Sequence, residues 1–243
     1  MFKELFEKAF VESFYKDREA RSTDHNHPSE MTGCVRQFWY KINDTPISDM
    51  PSLAMQLIWK QGHALQGVLE DLLPLIPEIE EYHIEKAVGD DDYNLGGHAD
   101  LVVKKDGKWY VLDYKTAGAT KFKSLKKAGV PIGYRWQLNQ YIHMLKKKHP
   151  KKFATLDSAV LLFINKSPIP DEIWEAQGKS RFATSPFYEM EVQYDTDLLE
   201  TEIFPQAEYL EEVREMDTPP ERIEDTENCK FCEFRSFCKK DKR

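Results

Sequence analysis

The chain of 243 residues has no apolar run approaching the ~20 residues needed to span a bilayer. It also shows no internal repeat and no low-complexity segment. Its first residues, Met1-Phe2-Lys3-Glu4-Leu5-Phe6, carry neither a long apolar stretch nor a small-residue cleavage site. The expectation is therefore a protein without a secretory signal, working in the cytoplasm. No G-x-x-x-x-G-K-[ST] phosphate loop occurs, so the chain holds no recognisable ATPase motor of its own. Cysteine is scarce. Cys34 stands near the start, and Cys229, Cys232 and Cys238 form a C-x2-C-x5-C cluster at the far end. In a reducing compartment four such thiols are metal ligands more often than disulfides. Soft thiolates suit an iron–sulfur cluster or zinc.

The length allows one sizeable core, so a single domain over residues 1–243 is expected. The net charge of -8 argues against a nucleic-acid partner until its distribution is read. Residues 1–99 hold 9 basic against 18 acidic residues, 100–152 hold 14 against 3, and 153–243 hold 11 against 21. A basic face on an acidic body can bind a polyanion locally while repelling it elsewhere.

The apolar spacing predicts helices over 1–21, 52–73, 132–148 and near 196–215. Pro74 and Pro77 end the second. Strands are predicted at 82–88, 94–104, 108–115, 156–165 and 187–194, with a polar loop over 22–33. The fold class expected is α/β (α+β), a central mixed sheet flanked by helices.

Asp106-Gly107 between two apolar runs is a hairpin signal. With these as the turn residues, Lys105 faces Lys108, Val103 faces Tyr110, Asp100 faces Asp113 and His98 faces Lys115. Asp100, Asp113, His98 and Lys115 would then share one face of the sheet. Two carboxylates directly opposite one another repel unless a cation lies between them. The pair therefore asks for a divalent metal, and its oxygen ligands suit Mg²⁺ or Mn²⁺.

This pattern resembles the PD-(D/E)XK nuclease superfamily. Asp100, preceded by Gly96-Gly97-His98-Ala99, fits the first acidic position, and Asp113-Tyr114-Lys115 fits the (D/E)-x-K tripeptide. Gln137-Leu138-Asn139-Gln140-Tyr141 resembles the Q-x-x-x-Y motif of RecB-like members. Gly62-His63-Ala64-Leu65-Gln66-Gly67-Val68-Leu69-Glu70 resembles their G-x-x-x-H-x-x-x-E helix. Glu70 takes its acidic position. Gln66 stands where many members have a metal-binding histidine, and His63 lies one turn earlier on nearly the same face. Cys34 with the distal cysteines is similar to the RecB-like nucleases that carry a [4Fe–4S] cluster, among them CRISPR-associated four-cysteine exonucleases, viral relatives and the AddB nuclease domain.

The resemblance implies a restriction-endonuclease-like catalytic core over about 52–194. It implies an iron–sulfur region built from about 31–40 and 226–240, joining the two ends of the domain. It implies a metal-dependent exonuclease acting on single-stranded DNA or DNA ends, in recombination, repair, replication or CRISPR adaptation. Asp100, Asp113, the Tyr114 carbonyl and Glu70, with Gln66 or His63, would hold Mg²⁺ or Mn²⁺. Lys115 would orient the attacking water, and Gln137 and Tyr141 would position the strand. Cys34, Cys229, Cys232 and Cys238 would bind the cluster. A helicase or integrase-type protein would be a separate partner, and the setting would be the host cytoplasm for a viral member. The alternative is a DNA-end-binding iron–sulfur subunit that has lost cleavage, a reading the Gln66 departure supports. Arg36, Arg135, Lys121 and Lys123 are candidate phosphate contacts. Trp136, Tyr134 and Phe122 lie among them and could stack on single-stranded bases.

Overall fold

Five strands, β1 (Ile79–Asp90), β2 (Leu95–Lys105), β3 (Lys108–Ala117), β4 (Ser158–Asn165) and β5 (Phe187–Gln193), form one mixed sheet in the order β1-β2-β3-β4-β5. All neighbours are antiparallel except β3 and β4, which run parallel. The computed structural model describes residues 2–166, 185–224 and 227–241, without the side chains of residues 119, 120, 123, 126, 127 and 227. A parallel pair needs a crossover connection. Here it is made by α4 (Ala119–Ala128) and α5 (Ile132–Lys148). The expected α/β class, a mixed sheet between helices, is the one observed.

The two faces of the sheet have different covers. α3 (Leu53–Leu72) starts at Ser52, whose hydroxyl accepts from the Met55 N–H at 3.3 Å, and it gives way to a short 3₁₀ turn containing Pro74. Leu69 and Leu73 pack there on Leu101, Val103 and Tyr114. On the other face, α5 buries an unbroken run from Gln137 to Ile142, with Met144 and Leu145. These join Val102, Trp109, Val111, Leu161 and Phe163 in the main core. The buried amides of α5 donate back along the helix, Asn139 to the Arg135 carbonyl and Gln140 to the Trp136 carbonyl, which lets polar side chains lie in the core. The basic last turn of α5, Lys146 to Lys148, suits the negative end of its dipole. Beyond β5 the chain turns helical at Thr196, widens into a π-turn over Leu199–Ile203, and continues as α6 (Phe204–Arg214).

The ends of the chain meet. α7 (Arg235–Lys240) packs beside α2 (Val35–Ile42), where the Tyr40 ring lies 5.3 Å from Phe234 and 5.4 Å from Phe237. Phe234 is fully buried. Burying a phenylalanine is worth about 1.5–3 kcal/mol, so apolar contact helps to hold the C-terminal segment. Asp49 accepts from the Ser236 N–H at 2.6 Å, and Arg36 pairs with Asp241 at 2.6 Å.

Arg36 corrects a sequence expectation. It is 2% exposed, donates to the Tyr40 hydroxyl at 3.0 Å and to the Pro220 carbonyl at 2.6 Å, and cannot reach a phosphate outside. Phe122 is likewise core and presents no free stacking face, while Tyr134 and Trp136 are half-buried and pack against that core. The Lys123 side chain lies outside the described residues, while Lys121 is exposed. The basic stretch is also less bare than its composition implies. Lys104, Lys152, Lys147, Lys146 and Arg135 pair with Glu80, Glu81, Asp90 and Asp92, Asp157 and Asp195, all from outside it. Apart from Lys147–Asp90, whose carboxylate is buried, these pairs are largely exposed and weak, about 0–1 kcal/mol, so a phosphate can displace them cheaply. Among the described residues no helix is long and apolar enough to cross a membrane.

Candidate active site

The β2–β3 hairpin turns at Asp106-Gly107, both with positive φ (52° and 75°), the backbone a two-residue I′ turn requires. The ladder then runs in the expected register from Lys105 opposite Lys108 to Leu101 opposite Leu112. There it ends, one pair short of Asp100 and Asp113. The Asp100 carboxylate instead accepts the Tyr114 N–H at 2.9 Å, occupying a donor the ladder would have used. From Val111 onward β3 is paired with β4. The two aspartates thus flank a fork between strands and are not a cross-strand pair.

The pleat resets at the same place. Val102 and Ala99 both face the main core although they are three residues apart. Strict alternation would put them on opposite faces. His98 consequently is exposed and does not join Lys115, contrary to the expectation from the hairpin register. Gly96 shows why the segment before Asp100 is glycine-rich. A β-carbon there would lie 2.5 Å from the His25 ring, which the 22–33 loop lays against this strand.

Asp113 is the most confined group of the site. It is fully buried, and its Oδ1 meets no hydrogen-bond donor. The Lys115 ammonium forms an ion pair with Oδ2 and sits 5.1 Å from the Tyr134 ring centre. Burial pushes the Asp113 carboxyl up to about 6, with Lys115 opposing the rise and Asp100 adding to it. Burial likewise raises Asp100, against the pull of Lys115 and the Tyr114 N–H. Burial works against the Lys115 charge, but Asp113 and Asp100 outweigh it and hold the ammonium above its ordinary value. The site thus sets two carboxyl groups, both raised by burial, beside one ammonium.

α3 brings Glu70 and His63 within range, since both act electrostatically on Asp100. Gln66 turns its amide nitrogen to Glu70 Oε1 at 2.9 Å and to Glu85 Oε1 at 2.9 Å. Glu85, on β1, was not legible as a site residue. It stands among Glu80, Glu81 and Lys86, with nothing in the sequence to set it apart. On α5, Gln137 donates to the Tyr141 hydroxyl at 3.1 Å. Burial raises Tyr141, with Asp113, Asp100 and Glu85 adding to it. The motif residues Glu70, Asp100, Asp113, Lys115, Gln137 and Tyr141 thus gather around the strand fork.

Among the described residues no three His, Cys, Asp or Glu side chains stand at the spacing of a complete ion site. The chemistry of the donors nevertheless fits a hard divalent ion. The unbonded Oδ1 of Asp113 is an oxygen ligand lacking a partner, and a lone buried acceptor of this kind costs about 1–3 kcal/mol. In the metal-free protein the protonated form of Asp113 is favoured by folding. Its contribution to stability is full below the ordinary 3.8 and is lost as pH rises through about 6. Metal binding needs the ionised form. The gain in melting temperature on adding Mn²⁺ should therefore be larger at about pH 7.5 than at about pH 5. Equal gains in calorimetric scans at both values would place the ion elsewhere.

The four cysteines, each half-buried, come together across the chain ends. Cys34 is the N-cap residue of α2. Cys229 and Cys232 lie on a 3₁₀ turn and just beyond it, and Cys238 lies in α7. Burial pushes the Cys232 thiol up, the Phe234 N–H opposes this, and Cys34, Cys229 and Cys238 add to the rise. Burial also raises Cys238, with Arg36 and Arg222 opposing.

The crystal structure of SSO0001 is similar in fold, with a TM-score of 0.54 at 18% identity over 98% of this chain and 96% of that one. The crystal structure of a phage related exonuclease from Haemophilus somnus 129PT is a more distant likeness. Its TM-score is 0.41 at 15% identity, over 74% of this chain and 78% of that one. No curated protein matches the chain. The family model of the PD-(D/E)XK nuclease superfamily matches residues 9–239, a span that includes the sheet, the fork and all four cysteines. With that match over a mixed five-stranded sheet between helices, the chain belongs to the PD-(D/E)XK nuclease superfamily.

Proposed function

We propose that the chain is a RecB-like, metal-dependent DNA exonuclease that acts on single strands or duplex ends and carries a [4Fe–4S] cluster. The observation that carries this reading is Asp113, a fully buried carboxylate with one unbonded oxygen, next to Asp100 and paired with Lys115. Asp100, Asp113 and the Tyr114 carbonyl hold Mg²⁺ or Mn²⁺, and Glu70 completes the site directly or through water. The bound ion polarises the scissile phosphate and makes water a better nucleophile near neutral pH. Lys115, its charge secured by the two aspartates, orients that water and offsets charge on the phosphate. Gln137 and Tyr141 stiffen the α5 wall along which the strand lies, and exposed lysines such as Lys121 meet the backbone.

For the cluster, the support is chemical and positional. The four thiols act on one another electrostatically, and the Phe234 N–H reaches Cys232, as amides do in thiolate-ligated clusters. The cluster's role is structural, joining α2 to the C-terminal segment. Such an enzyme serves recombination, repair, replication or CRISPR adaptation in the cytoplasm, with any helicase or integrase-type protein a separate partner.

The test is digestion of end-labelled single- and double-stranded DNA with Mg²⁺, Mn²⁺ or chelator. Shortening from the ends in either metal, and none with chelator, is expected. Binding to DNA ends without cleavage in either metal would overturn the enzyme reading in favour of an end-binding subunit.

A further inference from the structure

Among the described residues, four that are not glycine have positive φ: Asp44, Glu85, Asn94 and Asp106. Asp44 follows the end of α2, and Asn94 and Asp106 sit in strand-joining turns. Glu85, at φ 46°, lies in the middle of β1. A glutamate held there costs about 1–3 kcal/mol and persists only where the surroundings impose it.

The place of this strain is informative. β1 and β2 are paired on both sides of it, Ile84 with Leu101 and Lys86 with Ala99, in one unchanged register. The pair that register would supply between them is Glu85 with Asp100, and it is absent from the ladder. Asp100 therefore interrupts its ladders on both sides. In an unbroken pleat Glu85 would share the face of His83, which stacks on Trp109 of the main core. α3 lies on the other face. The left-handed backbone instead delivers the Glu85 carboxylate to Gln66 of α3.

Gln66 offers two N–H bonds from one nitrogen, and its contacts spend them on Glu70 and Glu85, each at 2.9 Å. The two carboxylate oxygens are thereby kept within twice that distance of each other. A histidine ring nitrogen carries only one N–H, so no single ring nitrogen could make this bridge. Glu85 also acts on Tyr141 together with Asp100 and Asp113, whose buried Oδ1 is unbonded.

We propose that Glu85 is a positioning residue of the active site, anchoring Gln66 so that Gln66 holds Glu70 toward the aspartates at the strand fork. The inference rests on the nuclease reading above, in which Glu70 completes the ion site. It gives glutamine at this position a purpose: here the residue braces a carboxylate from the helix against one from the sheet.

Three variants test it: Glu85→Ala, Glu85→Gln and Glu85→Gly. Glu85→Ala removes the acceptor and should lower kcat about 10-fold, the scale of losses for partners of metal ligands, with KM for DNA unchanged. It should also weaken Mn²⁺ binding about 10-fold in calorimetric titration without DNA. Glu85→Gln keeps an acceptor oxygen and should restore most of both. Glu85→Gly relieves the backbone strain, so it should melt higher than Glu85→Ala yet be equally slow. Combined with Glu70→Ala, Glu85→Ala should cost nothing further, because it acts through Glu70. Wild-type kcat and Mn²⁺ affinity in Glu85→Ala, or full recovery in Glu85→Gly, would overturn the proposal while leaving the nuclease reading intact. A wild-type protein that never cleaves DNA would sink that reading instead, and Mn²⁺ titration of the same variants would still decide the role of Glu85.

Discussion

Cleavage by Asp113→Ala should fall more than about 100-fold, beyond the losses expected from partners of metal ligands, while DNA binding stays near wild type. The carboxylate is fully buried and contacts no solvent, so removing it takes away no phosphate contact. What is lost is the oxygen that has no other partner. Asp100→Ala should behave alike in cleavage and also free the Tyr114 N–H that braces the fork. Lys115→Ala separates binding from chemistry. It should abolish cleavage with metal affinity retained, since an ammonium ligates nothing. It also leaves the Asp113 carboxylate buried without its cation, a loss of about 3–5 kcal/mol in the metal-free protein. Added Mn²⁺ should recover much of that stability in Lys115→Ala and none in Asp113→Ala. Cleavage by Asp113→Ala at the wild-type rate, followed on end-labelled DNA with anisotropy as the binding control, would remove the fork from the reaction.

Cys232→Ser should strip iron from anaerobically prepared protein, bleach its broad visible absorption and lower the melting temperature by roughly 10–20 °C. The size follows from two steps. A cross-link closing a loop of a hundred residues or more is worth about 4–5 kcal/mol in chain entropy. In a domain of this size each kcal/mol shifts melting by about 2–4 °C. The C-terminal segment should not detach altogether, because buried Phe234, the Arg36–Asp241 pair and the Asp49–Ser236 bonds still dock it. Stoichiometric zinc in place of iron, or an unchanged melting temperature, would reject the cluster as a staple.

Most secondary structure was legible because its signals are local. The 132–148 helix falls where its spacing predicts, and the Asp106-Gly107 turn sets the hairpin register. Those signals act over a few residues through backbone torsion and apolar periodicity, which a sequence displays directly. The same local logic misled at the fork. It carried the hairpin pairing on to Asp100 and Asp113 and kept His98 on their face, because alternation knows nothing of a strand that changes partner. It also counted charges without their distant partners, so Arg36 read as a phosphate contact when burial and Asp241 claim it.

The sequence by itself determined the order of the five strands and the four longer helices, the superfamily motifs and the residue types at the site, down to glutamine at position 66, but not the shorter helices α2, α4 and α7. Only the tertiary structure decided that β2 and β3 part at the aspartates, that Glu85 reaches the helix through a left-handed backbone, and that Asp113 keeps an oxygen unbonded. Each of these depends on which groups become neighbours across long stretches of chain. Burial and hydrogen-bond competition are settled among those neighbours, and no short-range pattern encodes them.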